Sequence, residues 1–413
     1  MPGHDRASAT LGEDKLSRIA VALAGGGPLG AIYEIGASAA LAQAIDGFEA
    51  HQADIFVGVS SGGFIAAALA NGISPARLAR ILIDDDTEEI FDPEMLLRPA
   101  IGEYVSRLLS LPHLIISSTL NYLQAPWLHG PFESFQRLSR AIPTGIFDNQ
   151  GIDHVLREMF SRPGRTNDFR KLKCRLFLVA TDLDSGESIA FGADGNDTVP
   201  ISTAVQASAA LPGLFPPVEI NGRHYVDGAL IKTLHASVAL KDGADIVFCI
   251  NPLVPFDADL AARRNLTERQ NLTEGGLPVV LSQTFRAIIN SRMKIGMDRY
   301  KHQFSNADVL LFEPTRDDGE MFYTNVFSYR DRRRLCEHAY QRTRIDLYRR
   351  RHELMPILNR HGLSLNLAVL KDHRHTLLPR HRHKSKVSLG TAMHALDTSL
   401  DDLQHWLEKR RPA

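Results

Sequence analysis

One serine held between two glycines, where an apolar run meets a small-residue helix, constrains this chain more than any other feature. Gly58-Val59-Ser60-Ser61-Gly62 follows Ile55-Phe56-Val57 and precedes Gly63-Phe64-Ile65-Ala66-Ala67-Ala68-Leu69-Ala70. The first run reads as a buried strand and the last as a helix, so the serine falls on a sharp strand-to-helix turn. A side chain there is thrust out of the sheet on a strained backbone, and the glycines Gly58 and Gly62 remove the Cβ clashes that would forbid the turn. Ser60 is therefore a candidate nucleophile, placed where the free N–H groups and positive dipole end of a helix stabilise developing negative charge. The plainer alternative is a tight turn that happens to carry serine.

A second glycine cluster, Gly25-Gly26-Gly27-Pro28-Leu29-Gly30, directly follows the apolar run Ile19 to Ala24. If the two strands are parallel neighbours, both loops open at the carboxyl edge of the sheet, where ligands of open α/β sheets bind. The main chain of Gly25, Gly26 and Gly27, with the N–H of Ser61, could then form an oxyanion hole beside Ser60. The same residues satisfy G-x-G-x-x-G, so a dinucleotide-binding turn is the competing reading. It wants an acidic residue at the end of the second strand, about 20 positions on. Glu49 and Asp54 precede that strand instead, and the strand ends in the serine turn.

A third segment supplies a candidate base. In His224-Tyr225-Val226-Asp227-Gly228-Ala229-Leu230 an aspartate ends a short apolar strand, and Ala207 to Pro217 precedes it as a small-residue helix and proline-bounded loop. An Asp-Gly pair is ordinarily only a turn. A serine hydroxyl, however, needs a proton acceptor within about 3 Å, and a partly desolvated aspartate becomes a better base because burial disfavours its charged form.

Together the three segments resemble the patatin-like phospholipases, serine acyl hydrolases whose chain order is a glycine-rich oxyanion loop, a G-x-S-x-G elbow and a later Asp-Gly-Gly or Asp-Gly-Ala. Gly25 to Gly30, Gly58 to Gly62 and Asp227-Gly228-Ala229 reproduce that order. The resemblance implies a Ser60 and Asp227 dyad without histidine. It extends to Ala180-Thr181-Asp182-Leu183 with Ser185-Gly186 and to Ala207 through Pro217, covering roughly residues 17 to 315. One departure stands out: the family usually carries Arg or Lys just before the last loop glycine, and this chain has Leu29. The backbone donors are untouched, so acyl-ester hydrolysis is better supported than recognition of a charged head group.

A Ser-His-Asp triad is the rival arrangement. His224 precedes Asp227 and breaks the usual order of such triads, which leaves His235 and His338 as the alternatives among 17 histidines. Other uses of the same groups are acyl transfer, thioester hydrolysis, or a non-catalytic lipid-binding role on the same fold.

The length of 413 residues exceeds what one core usually supports, so a large α/β domain with elaborations is expected. A net charge of −1 and 44% hydrophobic residues argue against disorder and give no case for a nucleic-acid partner. Cys174, Cys249 and Cys336 lack metal-ligand spacing and read as reduced core residues. No metal and no cofactor is expected. Residues 1–16 are polar without a secretory core, and nothing approaches the roughly 18 uninterrupted apolar residues of a spanning helix. A cytoplasmic enzyme, in contact at most with a membrane surface, is the expectation.

Strands at Ile19 to Ala24, Asp54 to Val57, Cys174 to Ala180, Asp245 to Ile250 and Asp308 to Phe312 alternate with helices at Ala31 to Ala44, Ser61 to Ala70 and Leu281 to Gln303. That alternation predicts an α/β fold with a mainly parallel central sheet and helices on both faces. Glu187 to Phe191 and Val218 to Val226 read as short edge strands. The domain is expected over residues 17–350, with residues 91–145 as a helical insertion that could cover an acyl-chain pocket. Residues 351–413 read as a basic, histidine-rich linker followed by an amphipathic helix. Arg374, Arg380, Arg382, Lys384 and Lys386 of the linker could meet an anionic membrane. His373, His375, His381 and His383 lack the scaffold of a zinc site. Leu389, Met393, Leu396, Leu400, Leu403 and Leu407 suit docking to the enzyme body or oligomerisation.

Overall fold

The computed structural model describes residues 17–84, 144–232, 234–266, 271–324, 329–372 and 374–378. The polar segment 1–16, the expected insertion up to residue 143, and the amphipathic helix near the carboxyl terminus lie outside the described residues.

The strands are β1 Ile19–Leu23, β2 Ile45–Asp46, β3 Ile55–Val59, β4 Arg175–Asp182, β5 Ser188–Phe191, β6 Val218–Ile220, β7 Arg223–Asp227, β8 Ile246–Ile250, β9 Asp308–Phe312 and β10 Ser364–Leu365. Eight of them form one sheet in the order β6-β7-β4-β3-β1-β8-β9, with β5 paired to β4. From β4 to β9 every neighbour is parallel. The edge beyond β4 turns antiparallel through β5, β7 and β6. The fold is α/β with a mostly parallel central sheet, as the alternation of apolar strands and helices predicts.

Parallel strands buried on both faces need apolar residues at successive positions, because alternate side chains enter different cores. In β1, Val21 and Leu23 join the larger core, packed by helices α1 (Gly27–Ala44) and α2 (Ser61–Ala70), while Ala20 and Ala22, with Ala24 just beyond the strand, join the core on the other face. That second core is closed by helix Ala236–Lys241 and by Met297 and Tyr300 of the long helix Gly276–Gln303. Phe248 of β8 stacks on Phe48, ring centroids 4.3 Å apart, and is buried in the larger core. Among the described residues no helix is long and apolar enough to cross a membrane.

Helix α1 begins at Gly27, four residues before the expected Ala31. Gly26, past the end of β1, caps the helix and Pro28 falls in the first turn, where a missing N–H removes no helical bond. The glycine cluster is thus the start of the helix rather than a free loop. The run Val218 to Val226 divides into β6 and β7 at Asn221-Gly222. Both of these have positive φ, 52° and 75°, as a two-residue hairpin turn requires. Beyond Arg350, helix Arg351–Arg360 buries Leu354 and Leu358, and β10 pairs antiparallel with β2. The compact unit containing the sheet reaches Leu378. None of the three thiols is in a disulfide; Cys249 and Cys336 are buried and Cys174 is bonded to the Ala70 carbonyl.

Helix α1 lies almost wholly inside the protein and carries one anomaly. Glu34 is fully buried, and both carboxyl oxygens lack a hydrogen-bond partner among the described residues. Desolvation pushes its pKa well above the usual carboxylate range, so the folded protein holds it protonated. In the unfolded chain it ionises near its ordinary value of about 4.3. The sign is therefore fixed. From that pH upward the unfolded state gains, and stability falls with rising pH until the folded-state pKa is reached. We expect Glu34→Met, similar in length and without buried oxygens, to raise the melting temperature more at pH 8 than at pH 5. Equal effects at both pH values in thermal melts would show that Glu34 is not buried as an uncharged acid.

Candidate active site

The register of the sheet places the two candidate residues on either side of one strand. Val59, the last residue of β3, lies opposite Val179 of β4, and the next residue of β4, Ala180, lies opposite Asp227 at the end of β7. Ser60 follows Val59 directly, so Ser60 and Asp227 flank β4 at the same level. The turn after Asp227 crosses over the strand. A Cβ added to Gly228 would meet the Val179 carbonyl oxygen at 2.2 Å and a methyl of Val59 at 3.2 Å, which only glycine allows. The Ser60 hydroxyl lies close enough to the Asp227 carboxylate to favour its ionised form.

Ser60 has φ 53° and ψ −125°, on the positive-φ side that non-glycine residues rarely adopt. Such a conformation costs about 1–3 kcal/mol and persists only where surrounding contacts enforce it. The flanking glycines permit it. A Cβ on Gly58 would fall 2.5 Å from the Cα of Gly63, and one on Gly62 would fall 2.5 Å from the Ala24 carbonyl oxygen. The first turn of α2 therefore rests directly on the end of β1.

The glycine cluster lies against the serine, as expected from the pairing of β1 with β3. A Cβ on Gly25 would stand 3.1 Å from the Cβ of Ser60 and 3.3 Å from that of Ala229, so Gly25 is wedged between the two candidate segments. Gly26 packs on the Pro252 ring and caps α1, and Gly27 opens its first turn at φ 60°. N–H groups in the first turn of a helix have no acceptor within that helix. The amino ends of α1, at Gly27, and of α2, at Ser61, thus both start beside the contact of Gly25 with Ser60, and each carries a positive dipole end. The Ser61 hydroxyl turns away toward Gly30 and is buried without a partner among the described residues.

Asp227 is buried, and desolvation raises its pKa to about 6 although the Ala229 amide, 2.8 Å away, and the Ser60 hydroxyl favour the ionised form. Near neutral pH it is thus ionised yet basic enough to take a proton. The three histidines have other surroundings. His224 is exposed beside Asp184. His338 is held by Asp318 at 2.7 Å and Glu320 at 3.3 Å. His235 is buried beneath the turn after Asp227 with its Nε2 unpartnered among the described residues, and burial together with the nearby Lys232 charge lowers its pKa to about 4.

Two residues gain roles that sequence reasoning did not give them. Asp182 accepts the amides of Asp184 and Ser185 and pairs with Arg223 of β7, so this part of the motif is a clamp between strands. Burial opposes its ionisation, but those amides and the Arg223 guanidinium hold its pKa below the usual range. Ser208, at the end of helix Ile201–Ser208, accepts the Ser60 N–H at 2.9 Å and donates to the Val179 carbonyl at 2.6 Å. Its hydroxyl joins the elbow to β4 at the point where the backbone leaves the sheet. The available signal was a lone hydroxyl in the apolar run Ala207 to Ala210, and nothing in that pattern says which main-chain groups it meets.

Removing the hydroxyl leaves one buried donor and one buried acceptor unpaired, each at about 1–3 kcal/mol. Ser208→Ala is expected to lower stability by that order in urea denaturation. It should also slow phosphonylation of Ser60 by a fluorophosphonate by about 10- to 100-fold, as expected for a misplaced nucleophile. Ser208→Thr, which keeps the hydroxyl, should recover most of the labelling rate. Unchanged labelling in Ser208→Ala would show that the elbow holds its shape without this link.

Comparisons with known proteins bear on the same segments. The sequence model described as "Patatin-like phospholipase" matches residues 21–240, more than half of the chain and a span that includes all three segments around Ser60. An uncharacterized NTE family protein of Mycobacterium bovis is 31% identical over 107 residues, 26% of this chain and 15% of that protein. A second from the same organism is 33% identical over 73 residues, 18% of this chain and 19% of that protein. The aligned part thus spans less than a fifth of either relative. Among solved structures, VipD from Legionella pneumophila superposes with a TM-score of 0.35 at 15% identity, covering 80% of this chain and 66% of VipD. The type III effector ExoU gives 0.34 at 15% identity, covering 81% of this chain and 53% of ExoU. On the match across residues 21–240, this chain belongs to the patatin-like phospholipase family.

Proposed function

We propose that the protein hydrolyses acyl esters of lipids through Ser60 and Asp227. The observation that carries this reading is Ser60, on a positive-φ turn between β3 and α2, beside a buried aspartate whose pKa is raised to about 6. In the forward step the Ser60 oxygen attacks the ester carbonyl carbon and its proton passes to the Asp227 carboxylate. The carbonyl oxygen becomes an oxyanion facing the amides of Gly26, Gly27 and Ser61, with Gly25 keeping that loop close to the serine. The intermediate collapses, the C–O bond to the alcohol breaks, and the alcohol leaves with the proton from Asp227. Water then attacks the acyl-enzyme, giving its proton to Asp227. The carboxylic acid departs as the proton returns to Ser60.

An apolar rim beside the site supports an acyl substrate. The Asp227 amide is bonded to the Ala210 carbonyl, just before the loop that carries Leu214 and Phe215. Residues 144–147 run alongside that loop: Gly145 bridges to Gly213, the Phe147 amide bonds to the Leu214 carbonyl, and the rings of Phe147 and Phe215 lie 6.3 Å apart. Ile146 and Leu214 remain exposed. An acyl chain can lie on such a surface without desolvating charge. Leu29 is half-buried against the larger core, so the position where the family usually carries a cation contributes packing here.

A fluorophosphonate should label Ser60, and Ser60→Ala should abolish both the adduct and ester turnover. Asp227→Asn removes the basic oxygen while keeping the shape, and should lower turnover of a short aryl ester by about 100- to 10,000-fold. In the parent, kcat/KM should rise with pH through a midpoint near 6, because Asp227 must be ionised to accept the proton. Substituting His224, His235 or His338 by Gln should have much smaller effects. Labelling of another residue, or near-parental turnover in folded Asp227→Asn, would overturn the dyad.

A further inference from the structure

Helix Gly276–Gln303 has an unusual distribution of apolar residues. Its inner side is polar over the first half, where buried Arg286 donates to the carbonyls of Val254 and Met321 and lies over the Phe322 ring while Gln283 bonds both the amide and the carbonyl of Phe256, and apolar over the second, where Met293, Met297 and Tyr300 pack on the body. The outer side nevertheless carries further apolar residues along the whole helix. Leu277, Leu281, Ile288 and Ile295 recur at spacings of four, seven and seven, which is one stripe of a helix, and Val280 and Phe285 border it. Leu277 is 69% exposed and Ile295 62%. Isolated exposed apolar residues are ordinary, whereas a continuous exposed stripe along one helix marks an interaction surface.

The charges on the helix identify the surface that fits. Its exposed charged residues are Arg292, Lys294, Arg299 and Lys301 against the single acid Asp298, and all of them lie in the carboxyl-terminal half. Apolar residues sharing a helix face with cations suit the boundary between head groups and acyl chains of an anionic bilayer. A second copy fits less well. Antiparallel pairing would lay the cationic half of one helix on the apolar half of the other, and parallel pairing would set cation against cation. The helix is also fastened to the candidate site. Arg292 donates to the Leu230 carbonyl at 2.9 Å, in the short turn Gly228–Leu230 that follows Asp227.

We infer that the outer face of helix Gly276–Gln303 docks the protein onto anionic lipid surfaces. The binding claim stands independently of catalysis; the claim that docking presents substrate to Ser60 rests on the ester-hydrolysis reading. The test uses the full chain with two variants at exposed positions, Ile288→Asp/Ile295→Asp and Arg299→Gln/Lys301→Gln. Co-sedimentation is measured with vesicles of phosphatidylcholine alone and of phosphatidylcholine with phosphatidylglycerol, at low and at high salt. The parent should bind the anionic vesicles at least about tenfold more tightly than the neutral ones, and high salt should weaken that preference by screening. Each variant should lose at least about tenfold in binding while turning over a soluble short aryl ester at the parental rate. Turnover of an ester embedded in anionic vesicles should fall with binding. A parent that stays in solution with anionic vesicles, or variants that bind as the parent does, would overturn the inference. A change in oligomeric state without a change in vesicle binding would also overturn it, assigning the face to another copy. Vesicle binding without turnover of either ester would leave the docking face standing and remove the catalytic reading.

Discussion

The arrangement depends on what happens at residues 179 and 180 of β4. The Val179 carbonyl accepts the Ser208 hydroxyl, and that hydroxyl in turn accepts the amide of Ser60. The glycine after Asp227 packs on the same carbonyl. Three segments far apart in sequence are thus set by one peptide group at the middle of the sheet. A shift of one residue in the pairing of β4 with β3 or with β7 would exchange the faces of the side chains and separate Ser60 from Asp227. Burial of both sheet faces makes such a shift costly, because it would move each strand's apolar residues into the wrong core.

The electrostatics follow from the same placement. A carboxyl group buried beside a serine, with the Ala229 amide as its main-chain donor, is held between two demands: enough desolvation to be basic and enough hydrogen bonding to remain ionised. His235 is buried beneath the Asp227 turn, and burial lowers its pKa to about 4, so near neutral pH it adds packing there without adding charge. Positive potential at this edge of the sheet comes instead from the backbone, at the amino ends of α1 and α2. Ser60 holds a backbone conformation that an unconstrained serine would leave, and the contacts of Gly25, Gly62 and Ser208 surround it on three sides.

Much of this was legible in the chain because its signals are local. Glycines on both sides of Ser60, alternating apolar strands, and Asp227-Gly228 at the end of an apolar run each report a backbone requirement that nearby residues must satisfy. Where sequence and structure part, a more distant or competing local effect decided. Helix α1 starts at Gly27 because Pro28 is tolerated in a first turn and Gly26 takes the capping position, although glycine ordinarily disfavours helix. His338 looked available as a base in sequence, yet Asp318 and Glu320 engage its ring. The helix expected from Leu281 to Gln303 is present and begins earlier, at Gly276, but periodicity alone does not say which face is covered: its apolar stripe points outward and Arg286 points in.

By itself the sequence determined the strand and helix alternation, the two glycine-bounded turns and the residue types able to perform acyl chemistry, because backbone geometry and side-chain chemistry are properties of short segments. Tertiary structure alone decided that Asp227 meets Ser60, that Ser208 joins the elbow to β4, and which face of the long helix is left uncovered. Those outcomes depend on strand register and on burial, and both are set by contacts between residues far apart along the chain, which no local pattern encodes.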